Sequence, residues 1–483
     1  MSPSIESSSQ AHEHPPRRSR LPLAWIIVAA VIVVTFYPGI MSNDSLASLQ
    51  QARTLEFTSW HPPIMALVWS VLDRLIEGPG LMLVAQAILY AVAAAKLCVE
   101  AFPGLMRRFT PWLLVPVFAL FPPVMALMGM IWKDVWMSSL LLLALAHVFR
   151  MASAQDRAAR KRAFAVVLLA CLLATAFRHN ALAATAGLLA GAWYFRAPAA
   201  WTWARLLVAC VVGVVLAIAL ALLVSAGTRL IARPAHVTTP ILMHDIAGMI
   251  VNADKPWRAA RVALSASPTI SDTSAREFTQ AIKREYTPAA AGPILRTSQR
   301  PDAPFAINVY QLDHDAEAVS RAWKVMIKRY PGAYLRHRAN AFRCLLQLCN
   351  VESWARHSYV LNARYVRQEE GRGVQAWLRA SLLNPALVRA YSPAFWGSLV
   401  LIGGLVGLST LHTGRPMLLF MALSAAGLGF SLFFTSPIES YRYLHWVILL
   451  GWITIWLAWQ HLLSRQQPLA PRKPKIKRSS QAG

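Results

Sequence analysis

Ten apolar runs recur along this chain, each long enough or nearly long enough to cross a bilayer core of roughly 30 Å, and they decide its fold class before any motif is read. Their limits are 21–38, 79–101, 111–130, 135–150, 163–177, 181–195, 206–228, 393–411, 416–435 and 444–463. Inside a bilayer every backbone N–H and C=O needs a partner within the protein, so segments of this length cross as helices. The sequence therefore predicts an all-α polytopic membrane protein of about ten transmembrane helices. Composition agrees: 56% of the 483 residues are hydrophobic and 14% are charged, with a mean hydropathy of +0.42. The fifth and sixth runs are short and separated only by Arg178-His179-Asn180, so they read as two spans or as one broken pair.

The formal charge of +26 would point to nucleic acid in a soluble chain, but here it sorts by side of the membrane. One side, comprising the first 20 residues, four later turns and the C-terminal tail, collects 19 Lys and Arg, among them Arg17, Arg18, Arg107, Arg108, Arg157, Lys161, Arg196, Arg415 and Arg472, with few acids such as Glu6 and Asp156. The short turns of the other side hold only Arg53, Arg74, Lys133, Arg178 and Arg442, with six acids. The positive-inside rule then puts both termini in the cytoplasm, as in a bacterial inner-membrane protein, with no nucleic-acid partner. The first run has no small-x-small cleavage site after it and is expected to stay as an anchor. The resulting plan is a cytoplasmic tail 1–20, a seven-span module 21–228 with a first outer loop 39–78, an extracytoplasmic domain 229–391, three more spans 392–463 and a basic tail 464–483. The outer domain carries 23 Lys and Arg and 12 Asp and Glu, and a loop of that size is exempt from the charge rule. Within it, Tyr334, Leu335, Arg338, Ala341, Phe342, Leu345, Leu346 and Cys349 recur at helical steps after Pro331-Gly332.

Ionisable residues at a membrane are costly and mark function, so their placement carries most of the chemical information. The first outer loop has Ser42-Asn43-Asp44-Ser45, an amphipathic stretch to Phe57, and then Trp60-His61-Pro62-Pro63, which can bring one carboxylate and one imidazole together at the outer surface. Asp44 competes with a helix N-cap role, and His61 with that of an interfacial polar residue. Three further outer turns supply Trp132-Lys133-Asp134, Arg178-His179-Asn180 and Glu439-Ser440-Tyr441-Arg442-Tyr443, so that Lys133, Arg178 and Arg442 can converge on one anionic group. The competing reading is local charge balance, Lys133 with Asp134 and Arg442 with Glu439. In the outer domain Met243-His244-Asp245 and Asp313-His314-Asp315 offer hard-metal or acid–base groups. Cys344 and Cys349, five apart in a predicted helix, lie on different faces, and a disulfide between them requires the helix to break.

An acid in the first outer loop, an aromatic residue and a Pro-Pro turn one short helix later, and seven spans before a large outer domain resemble the GT-C superfamily of integral membrane glycosyltransferases. The likeness is to the protein mannosyltransferase and aminoarabinose transferase branch, and it rests on Asp44, Trp60, His61, Pro62 and Pro63, with looser agreement at Arg178 and at Arg442-Tyr443-Leu444. It extends over the first 230 residues and hardly touches the outer domain. Ser45 stands where relatives carry a second acid, which bears on a metal-assisted variant, and His61 stands for their Lys, which makes phosphate contact there pH-dependent.

The resemblance implies cell-envelope hexosyl or pentosyl transfer from a polyprenyl-phosphate-linked donor to a lipid, glycan or protein acceptor on the extracytoplasmic face, among membrane lipids. Asp44 would act on the acceptor hydroxyl, while His61, Lys133, Arg178 and Arg442 hold the donor phosphate, supported by Asp134, His179, Asn180, Asp245, Glu439 and Tyr443. No cofactor is required by these residues, and a divalent metal stays open. Two other readings compete. An O-antigen polymerase or ligase would use the basic run Arg321, Lys324, Lys328, Arg329, Arg336, Arg338 and Arg343 and leave Asp44 idle. A lipid-sugar transporter would place charges at span centres and show related halves, neither of which is visible.

Overall fold

The computed structural model describes residues 21–197, 202–296, 302–307, 313–349, 377, 388–409 and 416–465. Both basic tails, Arg415 and residues 350–376 lie outside them, as do the side chains of Asp313, His314 and Asp315. The elements in chain order begin with α1 (Leu21–Phe36), α2 (Asn43–Thr54), β1 (Phe57–Thr58), α3 (Pro63–Leu75), α4 (Gly80–Ala101), α5 (Pro103–Arg108), α6 (Pro111–Ala119) and α7 (Pro122–Met128). There follow α8 (Lys133–Ser153), α9 (Arg157–Phe177), α10 (Ala181–Tyr194), α11 (Trp203–Ile231) and β2 (Ala232–Arg233). The segment 229–391, expected from the sequence as the outer domain and so labelled, contributes α12 (Thr239–Val251), α13 (Pro256–Ala266), α14 (Ala275–Glu285), α15 (Asp313–Arg329) and α16 (Pro331–Leu345), and the chain returns through α17 (Pro393–Ser409), α18 (Met417–Thr435) and α19 (His445–Arg465). The fold is all-α, and the named strands among the described residues form a two-residue parallel pair, Phe57 beside Ala232 and Thr58 beside Arg233.

All ten apolar runs are helical, but the expected ten spans are not established. Among the described residues five helices, α4, α8, α11, α18 and the helix from Tyr441 to Arg465, are long and apolar enough to cross a membrane, or six if α6 and α7 count as one span. At 1.5 Å per residue, 16 residues of α1 reach only about 24 Å. The third run is not a straight helix, because α6 and α7 meet at a 74° bend. Pro122 and Pro123 supply no N–H to the Phe118 and Ala119 carbonyls, and carbonyls along the bent run, Phe118 with Trp452 Nε1 at 2.9 Å among them, are met by neighbouring side chains. Gln86 donates to the Met128 and Met130 carbonyls at 2.8 and 3.0 Å, Tyr90 to Ala119 at 2.7 Å, and Tyr441 to Pro123. The fifth and sixth runs are two helices, α9 and α10, with Arg178-His179-Asn180 as the turn between them.

Small residues set the helix crossings, as expected where lipid removes the hydrophobic drive between helices and close packing remains. A Cβ on Gly187 or Gly427 would overlap the backbone of the facing helix in the α10–α18 crossing, and one on Gly213 of α11 would lie 2.6 Å from the Ala186 oxygen. Ser424 Oγ donates to the Ala184 carbonyl at 2.7 Å and accepts from Trp446 Nε1 at 2.9 Å, so the same crossing carries the hydrogen bonds.

The helix ends sort into two sets. The C-terminal ends of α1 and α9 and the N-terminal ends of α8 and α19 gather at one end, where Lys133, Asp134, Arg178 and Arg442 sit. At the other, Gln460 accepts from the Gly104 N–H at 2.8 Å and Arg108 donates to the Leu463 carbonyl at 2.9 Å, joining the basic α4–α6 turn to the last turns of α19. The outer domain has its own core of Met243, Ile246, Ile250, Phe278, Ile282, Phe305 and Met326. It reaches the membrane module through α16, whose Phe342 ring lies 5.7 Å from Phe433 of α18. The predicted helix there stops at Leu345, Gln347 takes a left-handed φ of +61°, and the chain turns so that Cys344 and Cys349 form a disulfide. Leu335, expected on the packed face, is 54% exposed, and His337 is buried instead, beside Arg338 of the expected stripe.

Gly427→Ala is expected to lower the unfolding temperature in detergent by the equivalent of about 1–3 kcal/mol, as overpacking does. Gly227→Ala, in helix α11 where a Cβ meets nothing within 4 Å, should be neutral or stabilising. Equal shifts in the two melting curves would contradict the crossing described.

Candidate active site

Asp44 owes its position to its neighbours. Ser42 is the N-cap of α2, with a capping box in which Ser42 and Ser45 exchange hydrogen bonds, so Asp44 sits in the first turn with its carboxylate left for other contacts. The N-cap role that competes for Asp44 in the sequence thus falls to Ser42. Ser45 Oγ donates to the Ile131 carbonyl at 2.8 Å, and Trp132 Nε1 donates to Ser42 Oγ at 2.7 Å. These two bonds tie the start of α2 to the start of α8 and bring Asp44 beside Lys133 and Asp134. Ser42, Ser45 and Trp132 were not singled out from sequence as site residues, although a Ser-x-x-Ser pattern ahead of a helix is a legible capping signal.

Arg442 Nη1 meets Asp44 Oδ2 at 2.7 Å, and its guanidinium lies 4.7 Å from the Trp132 ring centroid. Its Nε is 4.0 Å from Asp134 Oδ2. Arg178 Nη1 pairs with both oxygens of Asp134, at 2.7 and 2.8 Å, and its guanidinium stands 4.5 Å from the Tyr443 ring. Lys133 Nζ lies 2.7 Å from His61 Nδ1, and His61 Nε2 lies 3.9 Å from Asp44 Oδ1. The structure therefore brings Asp44, His61, Lys133, Asp134, Arg178, Arg442 and Tyr443 into one cluster. The local pairings weighed from sequence are not the ones that form: Asp134 pairs with Arg178 rather than Lys133, and Arg442 with Asp44 rather than Glu439.

An ammonium only donates, so His61 Nδ1 must accept from Lys133 and the imidazole proton sits on Nε2, on the side of Asp44. Burial and the Lys133 charge pull the His61 pKa down from 6.5 to about 3. This corrects the expectation of a phosphate contact that titrates near neutrality, because His61 is a neutral single donor across the physiological range. Burial pushes the Asp44 carboxyl up, but the Arg442 and Lys133 charges outweigh it and hold the group well below the usual carboxylate range. With His61 neutral, three cations face two carboxylates, and the cluster keeps one net positive charge.

The remaining candidates lie elsewhere or at the edge. His179 is exposed and Asn180 half-buried in the turn after Arg178. Asp245 belongs to the outer-domain interior, where it pairs with Arg338 at 2.7 Å and His337 at 3.2 Å. Glu439 is buried next to the disulfide, its Oε2 3.6 Å from Cys349 Sγ. Cys344, Cys349 and Glu439 are a group among the described residues with donor atoms close enough together for a metal ion, but the two sulfurs are already joined to each other.

No protein-family model and no curated protein matches the chain. Two solved structures do. ArnT from Cupriavidus metallidurans bound to undecaprenyl phosphate is 16% identical over 90% of this chain and 77% of that one, with a TM-score of 0.31. The same protein in the apo state is 15% identical, with coverage of 91% and 78% and a TM-score of 0.30.

The His61 assignment has a direct check. In 15N-histidine spectra, the signal lost in His61→Gln should show an Nε2–H tautomer at pH 7 and stay unprotonated to about pH 4. Because folding depresses this pKa, the stability it contributes is present above 6.5 and drains away as pH falls toward 3. A His61 signal titrating between pH 6 and 7 would contradict the Lys133 contact.

Proposed function

We propose that this protein is a GT-C-type glycosyltransferase that moves a hexosyl or pentosyl unit from a polyprenyl-phosphate donor to an acceptor hydroxyl on the extracytoplasmic face. The observation that carries this reading is the convergence of an ionised carboxylate, Asp44, with a cluster of net positive charge at a single set of helix ends. The acceptor oxygen attacks the anomeric carbon, Asp44 takes the hydroxyl proton, and the bond from that carbon to the phosphate oxygen breaks with its electrons going to the phosphate. Lys133, Arg178, Arg442 and the Nε2–H of His61 stabilise the charge that grows there. The polyprenyl phosphate then leaves along the apolar helices.

The Asp44–Arg442 pair gives the reaction an order. A carboxylate held this far down is a weak base while Arg442 is on it. When the donor phosphate draws Arg442 away, the Asp44 pKa rises and the base becomes competent as the donor arrives. A divalent metal is not needed in this scheme, since both carboxylates of the cluster already hold guanidinium groups and a cation would have to displace them. The polymerase or ligase reading draws less support, because Arg338 of its basic run is buried against Asp245 while Lys324, Lys328, Arg329, Arg336 and Arg343 face solvent. The reading of the outer face rests on the charge sorting of the sequence, which favours both termini in the cytoplasm of an inner membrane.

Asp44→Asn should reduce transfer by about 10²–10⁴-fold while leaving undecaprenyl phosphate bound in native mass spectra of the detergent-purified protein. Lys133→Ala should instead weaken that binding by about tenfold. Full turnover by a normally folded Asp44→Asn protein would remove the base from the scheme. Transfer should also persist after treatment with EDTA, and loss of activity restored by one added divalent cation would replace the metal-free scheme with a metal-assisted one.

A further inference from the structure

The hairpin between α18 and α19 that ends in Arg442 is held by the outer domain as well as by the membrane helices. Three backbone groups over residues 436–439 bond to that domain. The Ser436 carbonyl accepts from Arg338 Nη1 at 3.0 Å, the Pro437 carbonyl accepts from the Ala291 N–H at 2.8 Å, and the Glu439 N–H donates to the Ala289 carbonyl at 2.6 Å. Ala290 and Ile438 face each other as an antiparallel bridge. Beyond this grip come Tyr441, which bonds to Pro123, and Arg442, which reaches Asp44. Where Arg442 stands thus depends on where the outer domain holds residues 436–439.

Among those contacts Arg338 differs, because it is a fully buried cation whose own position is fixed from the other side. Its Nε pairs with Asp245 Oδ1 at 2.7 Å. Asp245 Oδ2 accepts from Trp323 Nε1 at 2.9 Å, and Oδ1 lies 3.2 Å from His337 Nε2, whose Nδ1 is 2.8 Å from the Tyr286 hydroxyl. A guanidinium is a planar fork, so one face of Arg338 can be anchored on the α12 carboxylate while another N–H points at the hairpin carbonyl. Gly248 of α12 lets His337 pack against the helix backbone, since a Cβ there would overlap the imidazole. The result is a strut running from α12 through Asp245 and Arg338 to Ser436, with every member on a rigid helix or buried among rings.

We propose that Arg338 and Asp245 are positioning residues for Arg442, so that the outer domain sets the geometry of the donor-phosphate clamp through the Asp245–Arg338–Ser436 strut. This rests on the phosphate-binding reading of Arg442, and it gives Asp245 a role other than metal ligand or acid–base group. A misplacement of about 1 Å at a charged contact is enough to lose a large part of its effect, which is why a residue that touches no substrate can control binding.

The test uses the full-length protein in detergent with undecaprenyl phosphate as the probe. Arg338→Lys keeps a cation against Asp245 but cannot also span to Ser436, and it is expected to bind the lipid about tenfold more weakly at near-normal unfolding temperature. Arg442→Met should also bind more weakly. The double variant should bind no worse than Arg442→Met alone, because Arg338 acts only through Arg442. Asp245→Asn should repeat the Arg338→Lys effect and add nothing to it. Losses that multiply in the double variant, or lipid binding unchanged in Arg338→Lys, would overturn the proposal. A second measurement is independent of any ligand: hydrogen exchange at the Glu439 and Tyr443 amides should rise in Arg338→Lys and Asp245→Asn, and unchanged exchange would overturn the strut itself. Should Arg442→Met bind as the unaltered protein does while exchange rises as expected, the phosphate reading of Arg442 fails and the mechanical link stands without it.

Discussion

Asp134 is fully buried at the end of a membrane-spanning helix, and a carboxylate there is tolerable only because Arg178 meets both its oxygens. Removing one member of such a pair leaves an uncompensated charge at a cost of about 3–5 kcal/mol, so any arrangement that separates α8 from α9 at this point is disfavoured. Everything else in the cluster is arranged around that bond. Lys133, the residue before Asp134, is turned toward His61, and Arg442 approaches the far side of the same carboxylate while its main partner is Asp44. The charges are interlocked rather than paired off along the sequence, and for that reason they can respond together when an anion enters.

The same constraint explains why the third apolar run bends. Two prolines at 122 and 123 break the ladder, and in lipid a broken ladder survives only where side chains replace the missing partners. Trp452 of α19 and Tyr90 of α4 do this, donating to the Phe118 and Ala119 carbonyls that Pro122 and Pro123 leave without a partner. The bend delivers Ile131 and Trp132 to the start of α2, where Ser45 and Ser42 receive them, and it thereby brings the first outer loop to Lys133. Tyr441 lies one residue from Arg442, so the bent helix also helps to seat the hairpin. A feature that began as a backbone defect places two of the three cations.

Much of this was legible in the sequence for one physical reason: an apolar chain carries few charges, and those it keeps at span ends are informative. Asp44, His61, Lys133, Arg178 and Arg442 read as convergent from their places at span ends. The partners could not be read there, because consecutive residues of a helix point about 100° apart and Asp134 cannot turn to its neighbour Lys133. The number of spans is left open for a related reason, since hydropathy reports apolar length and not whether the helix stays straight or long enough. The Cys344–Cys349 bridge was hidden because no Gly or Pro marks the end of α16, and the left-handed turn falls on Gln347. Arg338 did leave a trace, as a cation inside the apolar stripe of a predicted helix, which is the usual mark of a buried ion pair.

The two charge systems of this protein do different work even though both are buried. In the outer domain Asp245 is buried among Arg338, His337 and Trp323, all on helices of the same domain, so its surroundings are closed and its charge is mechanical. In the membrane-end cluster the cations outnumber the carboxylates, Asp44 keeps 34% of its side-chain surface exposed, and Arg442 has aromatic faces on either side over which a guanidinium can slide. A closed network resists displacement, whereas an open one with an excess charge invites an anion. The hairpin at 436–442 joins the two, its first residues gripped by the closed system and its last side chain placed in the open one. The rigidity of the first is what gives the second a defined geometry before any substrate is bound.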